Sequence, residues 1–335
     1  MNGFASRLAA AVLTTSKRLS GLLCVLLGIS FITFTMTYFA PGDKAAAIAH
    51  ARYPDTQGFP PEILEGIREE FYLSEPFLVQ FFQWLWRFIQ GDFGNSFASN
   101  VPVWEIFLAN IPETLELTAA SLAIGLVGAF CLSAISVWKP GSLADRCAVA
   151  IASIGGAMPN YWLGLLLILL FAVDLNWLPS YGTGTPAHIV LPALTLVLWI
   201  MASQTRLLRT FFLEAKSAPY IETLRLRGIS EREIFWRHIQ RHAAVPALTM
   251  IGLDVASLLE GTIIVELTFA RGGIGSLLAG AVLSRDYPLI LLLVMFIALV
   301  YVLINSLIEL FQDVLDPRKS LMAHRSTESR KEIRS

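Results

Sequence analysis

Six stretches of this chain, at about 19–40, 115–137, 148–173, 188–210, 243–268 and 288–314, are each long and apolar enough to cross a bilayer. A hydrocarbon core about 30 Å thick takes about 20 helical residues, rising about 1.5 Å each, to span. Backbone amides find no water there, and the alternating pattern of a membrane barrel is absent, so each stretch is expected to be a helix. Composition agrees, with 55% of the 335 residues apolar and 15% charged, against about 25% charged in soluble chains. The expected fold class is an all-α integral membrane protein with six transmembrane helices.

The first run follows Arg7, Lys17 and Arg18 but is longer than a secretory h-region and has no A-x-A-like site after it, so 19–40 is expected to be a retained first span. Cys24, Cys131 and Cys147 show no CxxC or metal-ligand spacing and are expected to be buried small apolar residues.

Orientation follows from Lys and Arg, which accumulate in cytoplasmic loops. Residues 1–18 hold three basic residues and no acidic one; the loop 138–147 has Lys139 and Arg146; the segment 205–242 has eight basic residues; the tail from Pro317 has six. All fall on one side of a six-span chain. Segment 41–114, with ten acidic residues against four basic ones, falls on the other. Both termini are therefore expected in the cytoplasm, with 318–335 a disordered tail. In 41–114, Ile63, Ile67 and Phe71 recur at helical spacing, and the aromatic cluster from Phe77 to Phe88 is expected to form helices lying at the membrane interface.

Asp254 and Glu260 lie inside the fifth span and Glu266 near its outer end. Carboxylates at that depth are costly and face a bundle interior or a wet cavity, which makes them pathway candidates. The loop 211–242 has its own punctuation. Ser217-Ala218-Pro219 opens a short helix, with Ser217 as the capping side chain, through Tyr220, Ile221, Glu222, Thr223, Leu224, Arg225, Leu226 and Arg227. Gly228 ends it, and Ser230 with Glu233 forms a capping box that starts another. Such a helix can seat in a groove of a partner protein or lie on the inner membrane surface.

No enzyme motif is present. The phosphate loop G-x-x-x-x-G-K-[ST], H-E-x-x-H and G-x-S-x-G are all absent. His238 and His242 are four apart, but with no third ligand no metal site is expected. A proton-coupled secondary transporter using Asp254 or Glu260 is the alternative reading.

Several motifs resemble the permease subunits of dipeptide, oligopeptide and nickel ABC importers, over nearly the whole chain. They are Phe39-Ala40-Pro41-Gly42-Asp43, Gly91-Asp92-Phe93-Gly94-Asn95-Ser96, Thr114-Leu115-Glu116-Leu117, Pro159-Asn160-Tyr161-Trp162-Leu163-Gly164, Trp177-Leu178-Pro179-Ser180-Tyr181-Gly182, Leu191-Pro192-Ala193-Leu194, Asp286-Tyr287-Pro288 and Leu315-Asp316-Pro317-Arg318. Glu222-Thr223-Leu224-Arg225-Leu226-Arg227-Gly228 is similar to the importer signature E-A-A-x-x-x-G, with both alanines replaced. The resemblance implies a type I importer permease fold in the bacterial inner membrane and import of peptides or peptide-sized solutes. It implies a homologous second permease, two ATP-binding subunits that hold ATP and Mg, a periplasmic solute-binding protein, and no cofactor or nucleic acid on this chain.

The docking set so implied is Tyr220, Ile221, Glu222, Thr223, Leu224, Arg225, Arg227 and Gly228. The pathway set is Asp254, Glu260, Gly261, Glu266, Arg271, Gly272 and Gly273, where Arg271-Gly272-Gly273-Ile274-Gly275 stands for the family's W-P-G-L-G and the glycines are expected to allow close backbone approach. Six residues of helix separate Asp254 from Glu260, so they point in different directions. Asp254 is expected to give the pathway a negative wall, and Glu260 to meet the partner permease.

Overall fold

The structure, a computed structural model, describes residues 2–53, 56 and 58–315. The Asp316-Pro317-Arg318 end of the resemblance and the tail 318–335 lie outside the described residues. The helices run in order α1 (Asn2–Tyr38), α2 (Lys44–Arg52), α3 (Pro61–Glu70), α4 (Phe77–Ile89), α5 (Val103–Trp138), α6 (Leu143–Ala157), α7 (Asn160–Leu167), α8 (Ala187–Lys216), α9 (Pro219–Leu226), α10 (Glu231–Ile234), α11 (Gln240–Thr268), α12 (Ile274–Ser284) and α13 (Tyr287–Leu315). Two π-helical stretches, Ile168–Asp174 and Phe235–Ile239, follow α7 and α10.

Four single helices can cross a membrane by length and apolar composition: Ser20–Tyr38, Val103–Trp138, Ala187–Lys216 and Tyr287–Ile308. The other two crossings are bent pairs, Leu143–Ala157 with Asn160–Asp174 at 105° and Pro246–Val255 with Glu260–Thr268 at 46°. The expected span over 148–173 is made of two helices joined at Met158-Pro159. Proline crowds the residue before it out of the helical region, and Met158 is extended at φ −102°, ψ 135°.

The chain divides into two compact units. One holds the residues up to Thr114 with Gly272–Val302; the other holds Leu115–Arg271 with the stretch from Leu303. In the first, α4 lays Phe77 and Phe81 on Phe31 and Phe34 of α1, with ring centroids 5.4–5.9 Å apart. Phe82, Trp86 and Ile89 stay exposed on the other side of α4. A second core gathers Ala45, Ile48, Ala49, Ile67, Phe97 and Tyr287.

The motifs of this unit are ties between distant segments. Asp43 caps α2 by accepting from the Ala45 N–H at 3.0 Å, and its other oxygen takes Arg68 at 2.7 Å. Arg285 donates to the Pro41 carbonyl at 2.8 Å. Buried Asp286 accepts from the Ser96 hydroxyl and, at 3.0 Å, from the Phe97 N–H. Gly42, at φ 108°, sits where a side chain is strained, and a Cβ there would also stand 2.5 Å from Arg285 Nη1.

In the second unit, α8 is the central helix. It shares one core with α7 and α11 through Leu191, Leu196, Ile200, Leu258, Val265 and Phe269. Small residues let α6 approach it closely, and a Cβ on Gly155 would stand 2.7 Å from the Leu198 carbonyl oxygen. A second core at the other end of α8 holds Phe212, Ile221, Ile234, Phe235 and Ile239. There Asp145, nearly buried, receives Arg209 at 2.9 Å, the Gly141 N–H at 2.8 Å and the Ser136 hydroxyl, tying the α5–α6 turn to α8. All three cysteines are exposed on the chain, correcting the expectation of burial: an apolar span turns much of its surface outward, where a small apolar residue is at home.

Candidate functional site

The loop after α8 folds by local rules. Ser217 closes α8 instead of opening α9: its N–H reaches the Leu213 carbonyl at 3.0 Å and its hydroxyl the Glu214 carbonyl at 2.8 Å. The N-cap of α9 is Ala218, with no side-chain hydrogen bond, and Pro219 occupies the first turn, where its missing N–H costs nothing. At the far end, Gly228 takes φ 76°, its N–H reaches the Arg225 carbonyl at 2.9 Å, and the Ile229 N–H reaches Leu224 at 3.2 Å. This paired pattern is the Schellman stop, completed by Leu224 and Ile229 packing on the same core. Ser230 then caps α10 through the Glu233 N–H at 3.3 Å, while the Glu233 carboxylate turns to Arg237 at 2.7 Å.

Within α9 the docking set divides. Ile221 is 0% exposed and packs with Phe212, Ile234 and Ile239, and Leu224 is half-buried against that core. These two seat the helix on the chain's own core. Arg225, also half-buried, holds Glu222 at 3.2 Å and Glu231 at 2.6 Å, so it ties α9 to α10. Its guanidinium holds the Glu231 carboxyl below the usual range. Tyr220, Glu222, Thr223, Arg227 and Gly228 are exposed. So is Leu226, at 82% the most open large apolar side chain of the helix. Sequence reasoning left Leu226 out of the set. The signal was its position five residues after Ile221, which at about 100° per residue puts it on the opposite flank.

The pathway set is less concentrated. Asp254 is 8% exposed and turns onto α8, where the Gln204 side-chain amide donates to it. The negative-wall expectation is corrected: the carboxylate is packed between two helices of its own chain. Glu260 is exposed, so the two acids do point apart. Gly261 leaves a Cβ position 3.3 Å from Leu196 and 3.4 Å from the Asn160 amide. Glu266 is buried, and its carbonyl accepts the Arg271 N–H at 2.9 Å. Arg271, 2% exposed, reaches Glu116 at 3.5 Å and the His188 carbonyl at 3.4 Å. Gly272 is exposed and Gly273 buried. Neither is among the positive-φ glycines, and Gly273, at φ −86° and ψ −177°, caps α12 in a conformation open to any residue.

Gln204 and Glu116 were missed as partners. Gln204 is a lone amide inside an apolar run, and a polar residue at that depth was the available signal.

Residues 121–321 match the family model described as binding-protein-dependent transport system inner membrane component, and residues 13–118 match the model for the N-terminal part of such components. Over 302 residues the chain is 34% identical to the glutathione transport system permease protein GsiC of Salmonella typhimurium, covering 90% of this chain and 96% of that one. Over 310 residues it is 32% identical to a Brucella abortus protein provisionally named a peptide transport system permease, covering 90% and 97%. Among solved structures, a chain of the inward-facing MetNI methionine ABC transporter shares the fold at a TM-score of 0.51 and 18% identity, over 63% of this chain and 98% of that one.

Proposed function

This chain belongs to the family of binding-protein-dependent transport system inner membrane components, and we propose that it moves peptides or peptide-sized solutes through a passage shared with a homologous second permease. It is a multi-pass inner-membrane permease subunit of an ABC importer. Two partner ATPases hold ATP and Mg, hydrolyse the ATP and dock on α9 from the cytoplasm, and a solute-binding protein delivers to the opposite face. The solute class rests on relatives named for glutathione and for peptides.

The observation that supports the docking assignment is the contrast within α9. Ile221 and Arg225 fix the helix to the chain, while Tyr220, Thr223, Leu226 and Arg227 are exposed. An eight-residue helix held this firmly passes a push on its outer face to α8 and α11 through the shared core. Alternating access then needs differential docking in the ATP-bound and ATP-free states of the partners.

The test uses the assembled complex in proteoliposomes. Proline cannot adopt the positive φ of Gly228 and removes its N–H bond to Arg225, so Gly228→Pro is expected to abolish solute-stimulated ATP hydrolysis and uptake while the chain still inserts. Glu222→Lys should do so less completely. Normal coupling in both variants would remove the assignment, and uptake driven by a proton gradient without ATP would establish the proton-coupled alternative.

A further inference from the structure

In the unit formed by the residues up to Thr114 with Gly272–Val302, a cavity of about 400 Å³ lies where the first and last single-helix spans end. Phe34 and Tyr38 line it from the end of α1, Tyr287 and Leu291 from the start of α13, and Trp84 and Arg87 from α4. The ends of two spans mark the depth of the lipid headgroups, where aromatic side chains gather.

Two cations line this cavity without a carboxylate partner among the described residues. Lys44 Nζ stands 4.4 Å from the centre of the Tyr38 ring and 5.7 Å from that of Tyr287. The Arg87 guanidinium stands 5.6 Å from the Tyr72 ring, also in the wall. Two acids, Glu70 and Asp92, also line the cavity, and of these Glu70 is neutralised by Arg52. Glu70 gives both oxygens to Arg52, at 3.0 and 2.9 Å, and Asp92 accepts the Gly94 N–H at 3.2 Å. Lys44 is half-buried, and burial pushes the pKa of its ammonium down. Ring faces offset part of the lost hydration; an anion would offset more.

We propose that this cavity binds the phosphate of an anionic phospholipid headgroup, with Lys44 and Arg87 as its charge partners and the aromatic rings beside the glycerol. A lipid fits better than a free anion because Phe34 and Leu291, which continue the wall, belong to membrane spans. A headgroup held there would bridge α1, α2, α4 and α13, the elements that carry the lining residues named above.

The assembled complex is reconstituted into vesicles of phosphatidylglycerol mixed with phosphatidylcholine and extracted in mild detergent, and retained lipid is counted by native mass spectrometry. Wild type is expected to retain phosphatidylglycerol in preference to phosphatidylcholine. Lys44→Gln and Arg87→Gln should each weaken retention about fivefold, the worth of one basic residue at a membrane surface. Lys44→Arg should restore it. Should Lys44→Gln fail to assemble, Arg87→Gln, on an exposed side chain, carries the test. Equal retention by wild type and the double variant overturns the site. Binding of inorganic phosphate to delipidated complex, with no preference for phosphatidylglycerol over phosphatidylcholine, overturns the lipid as its occupant.

Discussion

Asp254 shows how far one side chain's surroundings decide its role. A carboxylate inside a span reads as a transport residue, but Gln204 of α8 donates to it and both are buried. Removing one partner of a buried polar pair leaves the other unsatisfied, at a cost of about 1–3 kcal/mol, while a replacement that still bonds costs less. Gln204→Leu is therefore expected to lower the thermal midpoint of the purified complex clearly, and Asp254→Asn only slightly. The uptake ratio of cationic to neutral solutes should stay the same in Asp254→Asn; a marked fall in that ratio would return the residue to the pathway wall. The depth of Asp254 was legible in the sequence. Its direction was not, because one helix face of an apolar run looks like another until a neighbouring helix is placed beside it.

At the scale of the element, α9 was the most legible part of the candidate site. Pro219 and Gly228 mark its ends, and Ser230 the start of α10, by backbone chemistry that needs no tertiary context. What the sequence hid was its rotation, since a signature of exposed and buried residues reads as one set. Ile221→Ala is expected to destabilise the chain by about 2–5 kcal/mol, as for a buried aliphatic cut to alanine. Leu226→Ala should leave stability near wild type yet weaken ATPase binding, measured as the partner recovered with the purified permease. The Arg225–Glu231 tie adds a pH dependence. The folded pKa of Glu231 lies below its ordinary value of 4.5, so the stabilisation is present above that pH and fades as pH falls through the folded value. Because the pair is largely exposed, the effect is modest, and it is expected as lower amide-exchange protection across 219–234 in acid, each rate being taken relative to the intrinsic rate at that pH. Protection that is insensitive to acid would show that the tie contributes nothing. The bend in the third span was hidden for the opposite reason: hydropathy runs on through 148–173, while Pro159 turns the backbone there.

At the scale of the molecule, the count of apolar runs was legible, and so was the motif set, but not the grouping of the chain into units. Orientation can be checked directly in a background lacking Cys24, Cys131 and Cys147, so that an introduced cysteine is the sole thiol. Ser99→Cys is expected to label with an impermeant thiol reagent from outside the cell, and Ser230→Cys only from inside; the reverse pattern would overturn the basic-residue argument. The unit that includes segment 41–114 closes on Asp286, whose partner Ser96 lies 190 residues earlier. At about 5–20 residues per second, a ribosome needs roughly 10–40 s to travel that distance. Throughout that interval the early helices wait at the membrane with the anchor of their loop still unmade, a window in which quality-control proteases can act. A nascent chain stopped at Arg271 should therefore be clipped near Ser96 far faster than the finished protein, which makes completion of the last span the checkpoint for the first.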